Sequence, residues 1–255
     1  MALRAFADGA LFGSVTGTGT PRVLALPGWG HTQRDFDAVL APAGEPPLNA
    51  IALDLPGFGA SPPPPAAWGA HEYAAAVGAV LSAMQTPVVL FGHSFGGRVA
   101  LHLAPLVPDR IERLVLTGVP LLDRQGRAAR PAAAYRVGRR LHRLGLLGDE
   151  RLEAMKAKYG SADYRAAQGV MRDVLVRILA EQYGDEMAAI GAPVDLVWGE
   201  HDTEAPLEAA ERAKGLFPSA RLLVLPGVGH LTPTEAPGQL RRVVVGGPVP
   251  EPGWR

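Results

Sequence analysis

The sequence predicts an α/β fold: a mostly parallel, doubly wound sheet with helices on both faces and one inserted helical segment. Three observations lead there. Short apolar runs bounded by glycine and proline recur along the chain, stretches with helical spacing lie between them, and a single long stretch, from about Leu121 to Ile190, breaks the alternation. Strands alternating with helices imply crossover connections, and these build parallel sheets covered on both faces.

Taken in order, the apolar runs are Val23 to Leu26, Ala50 to Leu53, Val88 to Phe91, Arg113 to Leu116, Val194 to Trp198 and Leu222 to Leu225. Each is short and nearly continuous, as expected of a strand buried on both faces. Thr32 to Leu40, Trp68 to Met84, Gly97 to Pro105 and Pro206 to Leu216 carry helical periodicity between them. Pro62 to Pro65 is a stiff loop. The stretch from Leu121 to Ile190 contains no good strand and reads as several helices rich in Ala, Arg and Leu. Within it, Met171, Val174, Leu175, Ile178 and Leu179 fall on one face of a helix running to Tyr183. The tail from Gly246 to Arg255, with three prolines and three glycines, is irregular.

The chain has 255 residues, 47% of them hydrophobic and 20% charged, enough to bury a full core and too apolar for a disordered segment. Lys+Arg 25 balances Asp+Glu 25, so the whole chain offers no electrostatic footprint for nucleic acid or an anionic membrane. The absence of cysteine excludes disulfides, thiolate metal sites and cysteine nucleophiles. Met1 to Phe12 is interrupted by Arg4 and Asp8 and has no signal-peptide core, and no apolar run approaches bilayer length. A soluble, cytoplasmic protein without a membrane span is the expectation.

The zero net charge hides an asymmetry. From Leu121 to Lys158 there are 10 basic and 4 acidic residues, an excess of +6 offset by an acidic excess elsewhere. This basic stretch either attracts an anionic substrate or an acidic carrier protein, or is a solvated helical face.

The most specific local signal is Gly92-His93-Ser94-Phe95-Gly96-Gly97, directly after one predicted strand and directly before a helix. A sharp strand-to-helix turn holds a serine in a strained backbone conformation, and its small neighbours let other chain segments approach closely. The helix that follows points its N-terminal N–H groups toward Ser94 and favours negative charge there. A serine hydroxyl needs a general base, itself oriented by a third group. Asp202, in Trp198-Gly199-Glu200-His201-Asp202, and His230, in Gly227-Val228-Gly229-His230, each follow a predicted strand. Both then share the sheet edge of Ser94, where open α/β sheets place their sites.

With these motifs together, and with Pro27-Gly28-Trp29-Gly30 and Asp54-Leu55-Pro56-Gly57-Phe58-Gly59-Ala60-Ser61, the chain resembles the α/β-hydrolase fold superfamily from Val23 to about Arg242. The resemblance implies Ser94 as nucleophile, His230 as base and then acid, and Asp202 as the group that fixes the His230 tautomer. It implies an oxyanion hole from the N–H groups of Phe95 and, by analogy, Trp29. It also divides the chain into a core of residues 1–120 and 191–255 and a helical lid, 121–190, inserted after the sixth strand. Pro27 stands where the family usually has histidine, which removes that side chain's bracing of the loop.

The implied activity is a lidded serine hydrolase cleaving a carboxylic ester or related acyl compound, a small molecule that the basic stretch would favour as an anion. Three alternatives accompany it. Ser94-Phe95-Gly96-Gly97-Arg98 is similar to the menaquinone-pathway lyases that form succinyl-hydroxycyclohexadiene-carboxylate, in which arginines bind carboxylates; Arg98 either does so here or faces solvent on its helix. Carbon-carbon bond hydrolases have an aromatic residue after the histidine, where this chain has Leu231. A non-catalytic ligand-binding member would carry the same three residues without turnover.

Other residues fill out the expected site. Glu200 and Glu204 flank Asp202, but the Trp-Gly-x-x-Asp pattern selects Asp202 as the acid. His31 lies at the mouth, touching substrate or holding its loop, and Tyr135, Tyr159, Tyr164 and Tyr183 either line a pocket beneath the lid or pack it. His93 is expected to pack under the turn and His201 to bond within its loop, while His71, His102 and His142 fall on helix surfaces. Asp54 holds its own turn. No metal-binding histidine spacing and no phosphate-binding loop occurs, so no metal and no cofactor are implied.

Overall fold

A computed structural model describes residues 3–122, 140–151, 162–248 and 253–254. Eight strands form one sheet: β1 (Leu3–Phe6), β2 (Leu11–Thr16), β3 (Val23–Leu26), β4 (Ala50–Asp54), β5 (Val88–His93), β6 (Ile111–Thr117), β7 (Val194–Gly199) and β8 (Ala220–Leu225). Their spatial order is β1-β2-β4-β3-β5-β6-β7-β8. The β1–β2 and β2–β4 pairs are antiparallel and all the others parallel. The fold is therefore the mostly parallel α/β sheet that the sequence predicts, with an edge hairpin added. Three of the four β1 residues are exposed. Such an edge strand is held by backbone pairing and lacks the continuous apolar run by which the buried strands are recognised.

The helices are α1 (Asp37–Leu40), α2 (Ala70–Ala83), α3 (Phe95–Leu106), α4 (Ala162–Ala166), α5 (Val170–Leu179), α6 (Gly184–Ala189), α7 (Leu207–Lys214), α8 (Thr232–Glu235) and α9 (Pro237–Val244). Alternate residues of each central strand point to opposite faces. Leu24, Leu90 and Leu116 join one core with residues of α2, α3 and α7. Ala25, Phe91 and Val115 join the other with residues of α1 and α9. Both faces are covered, which is what makes the strands read as unbroken apolar runs. No described helix is long and apolar enough to cross a membrane.

Between β6 and β7 the described residues contain helices and turns and no strand. Helix α5 buries Val174, Leu175 and Ile178, but Leu179 on the predicted apolar face is exposed. This helix ends at Leu179 and not at Tyr183, which instead precedes α6 and is buried. The segment is tied to the start of α2. Glu181 accepts from the Ala70 N–H at 3.0 Å, and Arg177 bonds Glu72 at 2.6 Å and the Ala67 carbonyl at 2.8 Å. A carboxylate at a helix N-terminus satisfies an N–H that the helix leaves unpaired.

The chain leaves β3 for β4 on one side and returns across it to β5 on the other. At such a reversal the loops after adjacent strands diverge and open a crevice at the carboxyl edge.

Candidate active site

Ser94 sits at that crevice, between β5 and α3, with φ 48° and ψ −112°. Only Ala7, Asp8 and Ser94 have positive φ among the described non-glycine residues. That conformation costs on the order of 1–3 kcal/mol and persists because the strand and helix on either side are both packed.

His230 lies on the loop between β8 and α8. Its Nε2 is 3.1 Å from the Ser94 Oγ, and its Nδ1 is 2.9 Å from the Asp202 Oδ2. Asp202, on the loop after β7, is buried, and its other oxygen accepts from the N–H groups of Glu204 at 2.9 Å and Ala205 at 2.7 Å. A carboxylate only accepts, so Nδ1 carries the proton and the Nε2 lone pair is left to the serine hydroxyl. The structure thus brings Ser94, His230 and Asp202 into one hydrogen-bonded chain. Glu204 meets the opposite side of the imidazole: its Oε2 lies 3.5 Å from Nε2. Two acids two residues apart on one loop face different ring nitrogens.

Trp29, on the loop after β3, and Phe95, the first residue of α3, line a cavity of about 520 Å³ together with Ser94 and His230. Among the described residues no loop or turn bond takes the N–H of Trp29 or of Phe95. The Trp29 ring is held edge-on by Phe58 at 4.9 Å and Phe95 at 5.5 Å. Asp54, buried beneath, accepts from the N–H of Gln33 at 2.8 Å and of Ala60 at 2.9 Å, joining the loops after β3 and β4. Aromatic packing and a buried carboxylate therefore brace the loop that carries Pro27.

The remaining candidates divide. His31 lines the cavity and bonds Asp35 at 2.5 Å, which raises its pKa, opposed in part by burial. Arg98 also lines it and does not face solvent, correcting that alternative. It is buried, with Nη1 donating to the Ile178 carbonyl at 2.5 Å and its guanidinium 5.4 Å from the centre of the Tyr183 ring. Tyr164 is not among the cavity's lining residues, whereas its neighbour Asp163 is. Successive helical residues point about 100° apart, and the Tyr164 ring packs instead against the Arg172 guanidinium at 5.3 Å. Leu175, Ile178 and Leu179 of α5 supply the apolar wall, so the exposed Leu179 is explained by the cavity. Tyr135, Tyr159 and most of the basic residues between 121 and 158 lie outside the described residues. Among the described residues no group of three His, Asp or Glu is arranged to hold a metal ion.

His93, just before Ser94, is fully buried. Burial, with a smaller contribution from nearby His230, pushes its pKa down to about 4 from the ordinary 6.5. The folded chain therefore holds it neutral while the unfolded chain protonates it below about 6.5. Its contribution to stability is complete above that pH and is lost as the pH falls to about 4, a change of about 3 kcal/mol. Thermal unfolding measured across this window should show the slope, and His93→Gln should flatten it. An unchanged slope in the variant would refute the assignment.

Residues 23–243 match the profile described as "Alpha/beta hydrolase family". The dihydrolipoyllysine-residue acetyltransferase component of the acetoin cleaving system of Pseudomonas putida is 30% identical over 88% of this chain. The match spans only 62% of that relative's own length. The pimeloyl-[acyl-carrier protein] methyl ester esterase of Aromatoleum aromaticum is 29% identical over 82% of this chain and 91% of its own. Among solved structures, a hydrolase from Pseudomonas aeruginosa PA01 superimposes with a TM-score of 0.69 at 25% identity, over 96% of this chain and 97% of its own.

Proposed function

The chain belongs to the alpha/beta hydrolase family, and from that premise we propose that it is a serine hydrolase cleaving a carboxylic ester or related acyl compound through an acyl-enzyme on Ser94. The observation that carries this reading is the chain of contacts Ser94 Oγ, His230 Nε2, His230 Nδ1 and Asp202 Oδ2, at 3.1 and 2.9 Å.

In this reading the Ser94 Oγ attacks the acyl carbonyl as His230 Nε2 takes its proton. Asp202 keeps the imidazole in the required tautomer and stabilises the imidazolium. The carbonyl oxygen becomes an oxyanion facing the N–H groups of Trp29 and Phe95, the second also at the positive end of α3. Collapse breaks the bond to the leaving alcohol, which takes the proton from His230. Water then attacks the acyl-enzyme with His230 again as base, returning the acid product and free Ser94. Residues 121–190 act as the lid, α5 closing the apolar side of the cavity. Ester cleavage is also what the name of the Aromatoleum relative describes.

A fluorophosphonate probe tests the reading directly, because it reacts only with an activated serine. Wild-type protein should be labelled and Ser94→Ala should not. Folded wild type that stays unlabelled would overturn the proposal.

A further inference from the structure

His93 and Ser94 are consecutive, the last residue of β5 and the one that follows it. The His93 side chain turns away from solvent toward the loop that carries His230, with Nε2 at 3.0 Å from the His230 main-chain oxygen. A carbonyl only accepts, so Nε2 must bear the hydrogen. The other nitrogen, Nδ1, is buried without a hydrogen-bond partner. It faces Gly28, where even a Cβ would come within 3.1 Å of it. No acceptor waits for a second proton there, so the geometry holds the ring neutral, donating from one nitrogen only.

The rest of the His230 loop is pinned from the outside. Glu235 accepts from the N–H groups of Gly229 at 2.7 Å and Leu231 at 3.0 Å, on either side of His230. Those bonds run within the loop and α8 and do not reach the sheet. Two other bonds do: the Thr232 hydroxyl of α8 meets the Thr117 hydroxyl at the end of β6, and the His93 bond reaches the His230 main chain itself, starting from the residue covalently joined to Ser94.

We infer that His93 is a positioning residue: its Nε2–H ties the His230 main chain to the strand end that carries the nucleophile, and this bond sets the imidazole between Asp202 and Ser94. The inference rests on the catalytic reading of Ser94 and His230 given above. Without the tie, the nucleophile-to-base distance depends on a longer route through Thr117, whose carbonyl accepts from the Ser94 N–H at 2.9 Å and whose hydroxyl bonds Thr232. With it, the His230 main chain is joined directly to the end of β5. The two imidazoles are also neighbours, with ring centres 5.1 Å apart, and a neutral His93 adds no charge to oppose the imidazolium formed on His230 during turnover. The other titratable groups facing His93 are His31, with ring centres 6.3 Å apart, and Asp35.

The test compares His93→Leu, which keeps bulk and loses the donor, with His93→Gln, whose amide restores one. On a short p-nitrophenyl ester, kcat of the Leu variant should fall about 10- to 100-fold with KM unchanged, the size expected of a small misplacement of reacting groups. The Gln variant should recover kcat to within about fivefold of wild type. A packing role alone would not make the outcome depend on the donor. If the Leu variant does not fold, His93→Asn, whose amide is too short to reach, takes its place in the same comparison. Wild-type kcat in the donorless variant, or an equal loss in the Gln variant, would overturn the inference. Failure of the catalytic reading is separate: wild type itself would then neither turn over the ester nor react with a fluorophosphonate.

Discussion

His230→Ala is expected to lower kcat for an ester by about 10⁵-fold, and adding Ser94→Ala to it should change little further. The size follows from the roles. Without the imidazole at 3.1 Å the serine hydroxyl keeps its proton, and without the serine the imidazole has no nucleophile to activate, so each loss already contains the other. In the proposed mechanism, what survives in both is stabilisation by the Trp29 and Phe95 N–H groups and substrate binding, typically worth 10³- to 10⁴-fold over water. Asp202→Asn should cost less than either, about 10⁴-fold, because the ring remains and only its favoured tautomer is lost. Kinetics of the two single variants and the double on one p-nitrophenyl ester decide the matter. Multiplicative losses in the double variant would mean that the two residues act independently and would refute the shared mechanism.

Gly96→Ala is expected to have the largest effect on stability. A Cβ at this position would lie 2.1 Å from the Leu26 carbonyl oxygen, 2.4 Å from its carbon and 2.7 Å from the Pro27 oxygen. All three atoms are backbone at the end of β3, so no side chain can swing aside and α3 must move off the sheet. We expect a loss of more than about 4 kcal/mol, read as a Tm lower by roughly 8 °C or more. Because Ser94 and the Trp29 loop are attached to the two segments forced apart, activity should fall with it. Gly30→Ala is the control. It has open space around it but φ of 75°, so only the backbone penalty of about 1–2 kcal/mol applies. Equal stability of the two variants would show that the contact between α3 and β3 is not what the glycine protects.

The buried strands, the turn holding Ser94 and the placement of Asp202 and His230 after their own strands were legible in the sequence because each depends on short stretches of chain. A strand covered on both faces reads as an apolar run, and a tight strand-to-helix turn demands small residues around the serine. The hairpin of β1 and β2 was not legible: the exposed edge strand β1 is selected by the partner backbone beside it and leaves no apolar signature, and β2, though mostly buried between β1 and β4, has its apolar run broken by Gly13 and Ser14. Helix α9 escaped for a related reason: its eight residues begin at Pro237 after a break at Ala236, and its buried face is only Leu240, Val243 and Val244.

At the site the division is sharper. Sequence by itself determined which residue types are present and which strands they follow. Tertiary structure alone decided which atom of each faces which partner. Asp202 and Glu204 are equivalent by charge and nearly so by position, yet one holds the Nδ1 of His230 and the other approaches Nε2. Arg98 has the spacing of a solvent-facing helix residue and is buried against the Ile178 carbonyl, because α5 arrives there from 80 residues away. Tyr164 and Asp163 are adjacent, and only the rotation of their helix gives the cavity wall to the aspartate. His93 has the composition of a packing residue, and its hydrogen bond to His230 exists only because the loop after β8 reaches back to the end of β5. Hydrogen bonds and buried contacts depend on distances of a few tenths of an ångström between segments far apart in the chain, and no local pattern of residues encodes those distances.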